Sequence, residues 1–244
     1  MTALDKTDYK AAKARLLEQE FEDADPRAVM QAALKTLFVG ERLALVTSFG
    51  AESAVLLHMA AQVDPAVEVV TIDTGKLFGE TRRYRDKLVD RLGLTNLHVV
   101  GPSADETQEN DPSGILWSQN PDACCHFRKV VPLARALDGV DVWMSGRKRF
   151  QASSRETLPV FEATEGRIKI NPLANWTKDD LDAYFEAHDL ARHPLEAEGY
   201  LSIGCMPCTD RVAPGEDARA GRWRGQDKTE CGIHTALWSE GGGI

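Results

Sequence analysis

Five cysteines stand in the 244 residues, and four of them fall into two close pairs, Cys124-Cys125 and Cys205-Met206-Pro207-Cys208. Neighbouring side chains point apart, so a tandem pair cannot close a disulfide on itself without strain. Soft thiolates in two close pairs suit zinc or an iron–sulfur cluster. Structural zinc sites space their cysteines by two to four residues on both arms. Cys124-Cys125 has no spacer, and this favours the cluster. The plainer alternative is four unrelated buried cysteines, each packed as a small hydrophobe. The pairing of four out of five speaks against it.

Cys231 is the odd thiol, since no further cysteine remains to resolve a disulfide with it. Arg219, Arg222, Arg224 and Lys228 precede it and His234 follows three residues later. Nearby cations depress a thiol's pKa and raise its thiolate fraction, whereas Asp227 and Glu230 work the other way. A nucleophile and an incidental thiol are both open at this point.

Elements that place these groups follow from the apolar pattern. Residues 1–40 read as an N-terminal helical segment, with Asp25-Pro26 as N-cap and first helical residue and Gly40 as a stop. Leu43–Thr47, Val67–Ile72, Leu97–Val100 and Val142–Ser145 read as buried parallel strands alternating with helices. Such alternation predicts an open parallel sheet flanked by helices, with ligands beyond the carboxyl ends of the strands. The first strand runs into Ser48-Phe49-Gly50-Ala51-Glu52-Ser53 and a helix, an arrangement that aims N–H groups at a phosphate. A plain strand–helix connection uses the same residue types. Asp73-Thr74-Gly75 ends the second strand, and a helix spans Cys124 to Leu137 despite Pro132. Thr177 opens a further helix with Asp180 close to a capping box. Beyond residue 208 the chain is rich in Arg, Gly and Asp and has little to bury, so a mobile C-terminal tail is expected over 209–244, after an α/β domain over 41–208.

A net charge of −9 argues against a nucleic-acid backbone or an anionic membrane as the main partner. No apolar run reaches the length of a membrane span. The polar start Met1–Lys10 lacks the apolar core of a signal peptide, and with a thiolate site this places the protein in a reducing cytoplasm.

The two cysteine pairs, together with Lys228-Thr229-Glu230-Cys231-Gly232-Ile233-His234, resemble the assimilatory adenylyl-sulfate reductases, the iron–sulfur branch of the phosphoadenylyl-sulfate reductase family. The likeness extends to Ser48–Glu52, to Ile72–Thr81 and to the stretch from Gly146 to Val160. It implies an adenine-nucleotide α-hydrolase (PP-loop-like) fold, and a [4Fe–4S] cluster on Cys124, Cys125, Cys205 and Cys208. Cys231 would be the nucleophile, and Ser48, Phe49, Gly50, Glu52 and Ser53 would hold the nucleotide. Asp73, Thr74 and Gly75 would border the adenosine and Lys129 would lie between cluster and substrate. Arg149, Arg219, Arg222 and His234 would surround the phosphosulfate. Thioredoxin or glutaredoxin would supply the dithiol, and a homo-oligomer is compatible with all of this. Where the family often has two arginines, an acidic residue and glutamine, this chain has Lys148-Arg149-Phe150-Gln151, so Arg149 needs another partner.

An ATP pyrophosphatase of the same fold usually carries Ser-Gly-Gly-x-Asp-Ser in its phosphate loop. Phe49 replaces a glycine that lets the backbone approach the phosphates. A non-enzymatic metal-thiolate sensor would leave the nucleotide loop and the arginine-rich tail without a purpose.

Overall fold

The computed structural model describes residues 3–226, 228 and 232–234. Helices α1 (Ala3–Phe21) and α2 (Pro26–Ala32) open the chain, and the Asp25 side chain caps α2 by accepting from Arg27 N. Strand β1 (Leu43–Thr47), helix α3 (Ser53–Val63), strand β2 (Glu68–Ile72), helix α4 (Gly79–Leu92) and strand β3 (Leu97–Val100) then alternate. Four short helices follow, α5 (Ala104–Asn110), α6 (Leu116–Gln119), α7 (Pro121–Cys125) and α8 (Val131–Ala136), before β4 (Val142–Ser145). A hairpin of β5 (Phe161–Thr164) and β6 (Arg167–Ile170) and helix α9 (Lys178–Ala187) complete the regular elements.

The sheet order is β3-β2-β1-β4-β6-β5, parallel except for the edge strand β5. The sequence pattern gave the parallel strands; the antiparallel edge comes from the tight turn at Glu165-Gly166. Both residues have positive φ (51° and 70°), the backbone of a two-residue hairpin whose twist matches its strands. Helix α1 lies along this edge, and Glu18 Oε2 accepts from Phe161 N at 2.7 Å. That contact satisfies an edge N–H which another chain could otherwise pair with.

Alternation along each strand divides the core in two. Leu45, Val69, Val142, Met144, Ile168 and Ile170 face one layer with Leu57, Leu88 and Leu181 of the helices. Ala44, Val46, Val70 and Trp143 face the other, against Leu133 and Leu137. Thr177 and Asp180 form the capping box that starts α9.

His193 ties the loop after α9 to α4. It is 1% exposed, its Nε2 lies 3.1 Å from Thr81 Oγ1, and its Nδ1 accepts from Leu195 N at 3.2 Å. Burial pushes its pKa down to about 4 from 6.5. Between those values the unfolded chain binds a proton that the folded chain refuses. Stability therefore falls as the pH drops from about 6.5 to about 4, by up to about 3 kcal/mol. In His193→Asn the amide oxygen keeps an acceptor for Leu195 N and no longer titrates. Thermal melts of the two proteins are expected to diverge at pH 7 less than wild type itself changes between pH 7 and 5, and the acid-dependent loss is expected to shrink in the variant.

Candidate active site

The order of the strands reverses between β1 and β4, and open α/β sheets bind ligands in the crevice that this opens beyond the carboxyl ends. Ser48, Phe49, Gly50, Glu52 and Ser53 form its β1 side. Phe49 takes φ 49°, a left-handed conformation that a bulky residue rarely adopts, and buries its ring in the core at 1% exposure. Packing of the ring holds the turn in the place where a glycine would have been free. Ser53 N, the first of α3, donates to Gly50 O at 3.1 Å, and among the described residues no side chain caps this helix start, so the N–H groups next in line are placed to receive a ligand.

Glu52 reaches across the crevice. Its Oε2 accepts from Lys148 Nζ at 2.7 Å and from Gln151 Nε2 at 2.8 Å. Burial pushes the Lys148 ammonium below its usual range, and the Glu52 carboxylate opposes that shift. The partner of Arg149 is then plain: its Nε donates to the Leu158 carbonyl at 2.9 Å, which orients the guanidinium without neutralising it. Phe150, in place of the acidic residue, is exposed.

On the β2 side Arg82 grips Asp73 through two hydrogen bonds (2.9 and 3.0 Å), and Gly75 N donates to the same carboxylate at 2.9 Å. Partial burial raises the Asp73 pKa, but these donors win and hold it below the usual range. The next strand end crowds this turn: a Cβ on Gly101 would sit 2.3 Å from the Asp73 carbonyl oxygen. Only glycine fits there.

Thr74 faces the cysteines. Its Oγ1 lies 3.2 Å from Cys205 Sγ, Leu77 bridges Cys205, and Met206 N donates to Lys76 O at 2.8 Å. Cys124, Cys125, Cys205 and Cys208 are all buried. They line one small cavity with Lys76, Trp117, Pro121, Arg128, Lys129 and Pro207. Burial pushes the Cys124 and Cys208 thiols up, and Lys129 draws both back, with Arg128 acting on Cys124 and Arg222 on Cys208. Among the described residues no three His, Cys, Asp or Glu side chains converge tightly enough for one metal ion. Helix α7 passes into a π-helical turn, His126–Val130, in which Val131 N donates to His126 O. That wider turn precedes Pro132, which cannot donate, and lets the helical path continue into α8.

Residues 209–226 bury more than their composition promises. Thr209 bridges Arg222, Asp210 N donates to Gly221 O, and Trp223 is 2% exposed against Cys205 and Cys208. Arg222 stacks on the Trp223 ring at 4.4 Å and donates through Nε to Cys208 O at 3.4 Å. Its guanidinium fills the space in which a Cβ on Gly204 would lie, 2.3 Å from Nη2. Arg219 stands 6.0 Å over the same ring. So Arg219 and Arg222 join the cysteine wall, while Arg149 belongs to the β4 side. Cys231 and the His234 side chain lie outside the described residues. Their neighbours do not: Lys228 pairs with Asp122 of α7, and Ile233 packs on Val46, Leu133 and their layer. Asp111 and Trp223 were not among the residues that the sequence singled out, and Lys148 stood there only as the neighbour of Arg149. The sole signal for Trp223 was a lone large aromatic in a polar stretch.

Residues 42–211 match the phosphoadenosine phosphosulfate reductase domain. The chain belongs to the phosphoadenosine phosphosulfate reductase family. The matched span holds all four cavity cysteines and the loops after β1, β2 and β4. Among similar members, an adenosine 5′-phosphosulfate reductase of Mesorhizobium japonicum is 53% identical, over 94% of this chain and 90% of its own. A phosphoadenosine 5′-phosphosulfate reductase of Gloeobacter violaceus is 41% identical, over 89% and 92%. The crystal structure of a phosphoadenylyl-sulfate reductase from Candida auris superposes with a TM-score of 0.69 at 30% identity, covering 82% of this chain and 96% of that one. The fold and family expected from the motifs are therefore right.

Proposed function

We propose that this protein reduces adenosine 5′-phosphosulfate to sulfite and AMP, with Cys231 as nucleophile and a thioredoxin-type dithiol as reductant. The observation that carries the reading is the docking of Lys228 and Ile233, on either side of Cys231, upon the helical segment that bears Cys124 and Cys125. The loop after β1 and the uncapped start of α3 would receive the nucleotide phosphate, with Asp73, Thr74 and Gly75 beside the adenosine. Arg149, Arg219, Arg222, Lys129 and His234 would offset the negative charge of the phosphosulfate as an anionic thiolate approaches, a preorganised electrostatic contribution.

In the first step the Cys231 thiolate attacks the sulfate sulfur. The bond from that sulfur to the phosphate oxygen breaks, AMP leaves, and Cys231 holds a sulfonate. One thiolate of the external dithiol then attacks the Cys231 sulfur, and sulfite leaves with the bonding pair. The second thiol resolves the mixed disulfide, so both electrons come from the dithiol.

Cys124, Cys125, Cys205 and Cys208 would hold a [4Fe–4S] cluster. The cavity fits one, since four buried cysteines line a common space. Two N–H groups, Arg128 Nε and Trp223 Nε1, are buried by the cysteines without a hydrogen-bond partner among the described residues, and cluster sulfurs accept such donors. The cluster would supply fixed charge and rigidity beside Lys129, and no electron is routed through it.

Sulfite release from adenosine 5′-phosphosulfate and from its 3′-phosphorylated form, each with thioredoxin, tests the reading. The unphosphorylated substrate is expected to react with the higher kcat/KM. Sulfite from neither would overturn the activity, and ATP cleavage to pyrophosphate would revive the pyrophosphatase. Arg149→Ala is expected to raise KM by roughly tenfold to a hundredfold, the weight of one charge-assisted contact, with the iron content unchanged.

A further inference from the structure

Asp111 lies in the polar stretch between β3 and α7, where nothing in the sequence marks it. Its side chain is wholly buried. One carboxylate oxygen accepts from Leu116 N at 3.0 Å, which fixes the turn before α6 and hence the approach of Trp117 to the cysteine cavity. The other accepts from Arg128 Nη2 at 2.7 Å, and Lys76 Nζ stands 4.0 Å away. Arg128 is nearly as buried and spends Nη1 on the Thr74 carbonyl at 2.8 Å. Thr74 in turn places its hydroxyl on Cys205 Sγ. One carboxylate thus joins three separate segments around the cavity: its own, the nucleotide turn and the cysteine helix.

Counting donors shows what is left. A guanidinium offers its N–H groups in a rigid fork, so two engaged ends fix the plane of the third. With Nη1 and Nη2 both engaged, Nε is the buried nitrogen of Arg128 without a partner among the described residues, and Arg128 lines the cavity. A buried N–H is rarely left orphaned unless something absent accepts from it. Resting on the cluster reading given above, we propose that Asp111 is a positioning residue for the thiolate centre: it locks Arg128 so that Nε–H donates to a sulfur in the cavity. Outer partners of this kind orient and tune a metal centre without touching it.

The test uses the full-length, iron-loaded protein and reads the Fe–S(Cys) stretching bands by resonance Raman, with iron content measured alongside. Asp111→Asn keeps an oxygen for Leu116 N and removes the charge that grips Arg128. Full iron with displaced Fe–S(Cys) bands is expected. Arg128→Lys retains a cation for Asp111 and deletes Nε, so it is expected to displace the same bands. The double variant is expected to match Arg128→Lys alone, because Asp111→Asn keeps the Leu116 contact and removes only the charge that acts through Arg128. Iron-loaded Asp111→Asn with wild-type bands would overturn the inference and leave the activity reading intact. Should Asp111→Asn lose its iron, Arg128→Lys decides: displaced bands support the inference and wild-type bands overturn it. Wild-type protein without iron would overturn the cluster reading and this inference together, whatever its activity.

Discussion

Cys231→Ser is expected to lower sulfite production by on the order of 10⁴-fold or more, the scale lost when a covalent nucleophile is removed. The reason is a count of thiols. If Cys124, Cys125, Cys205 and Cys208 serve as ligands, Cys231 alone is free to attack, and no other thiol in the chain can discharge it. Wild-type enzyme given adenosine 5′-phosphosulfate without reductant should therefore stop after about one AMP per chain and carry one sulfonate on the peptide containing Cys231. Thioredoxin added afterwards should free sulfite and restore the original mass. The serine variant should keep its iron and bind nucleotide yet form no adduct, because a hydroxyl is not ionised at neutral pH. An adduct on any other residue, or sulfite made by the variant, would sink the mechanism.

Cys125→Ser carries the second large effect, on the metal. Freshly purified wild type should be brown and hold about four irons and four sulfides, as a cubane on four thiolates requires. Removing one ligand should bleach the protein and take most of the iron with it. Trp223 packs on Cys205 and Cys208, and Lys228 and Ile233 dock on the segment carrying the other pair. Loss of the cluster should therefore also loosen residues 209–226, seen as faster proteolysis at their arginines. A colourless variant of unchanged protease resistance would separate the metal from the packing of this segment. A wild-type protein holding one zinc would reject the cluster itself.

What could be read in the sequence was whatever local chemistry determines. Asp25-Pro26 and Thr177 with Asp180 marked helix starts because a cap acts over three residues. Strands β1 to β4 stood out because buried parallel strands are continuous apolar runs. The cysteine pairs announced a thiolate site by type and spacing. Long-range pairings were silent. Nothing local says that β4 joins β1, and so nothing predicted that Lys148 would meet Glu52 across the crevice. Asp111 passed unnoticed because its partner lies 17 positions on. Residues 209–226 were expected to have little to bury because a single tryptophan hardly alters composition; that aromatic, seated on two cysteines, anchors the segment.

The π-helical turn at His126–Val130 has a meaning for how this region tolerates change. It stands between α8, whose Leu133 is wedged against the sheet, and the tandem cysteines one turn earlier. Each residue of an α-helix turns the chain by about 100°. Deleting one residue from His126–Val130 would turn the wide turn into an ordinary one, and because the wide turn already absorbs its extra residue within a single revolution, Cys124 and Cys125 would keep nearly the same direction relative to the anchored half. A point substitution in the same turn leaves their direction alone. The π turn is thus the one place in this segment where a residue can be lost without re-aiming the cysteines, whereas a deletion within the regular turns of α8 would swing them through about 100°.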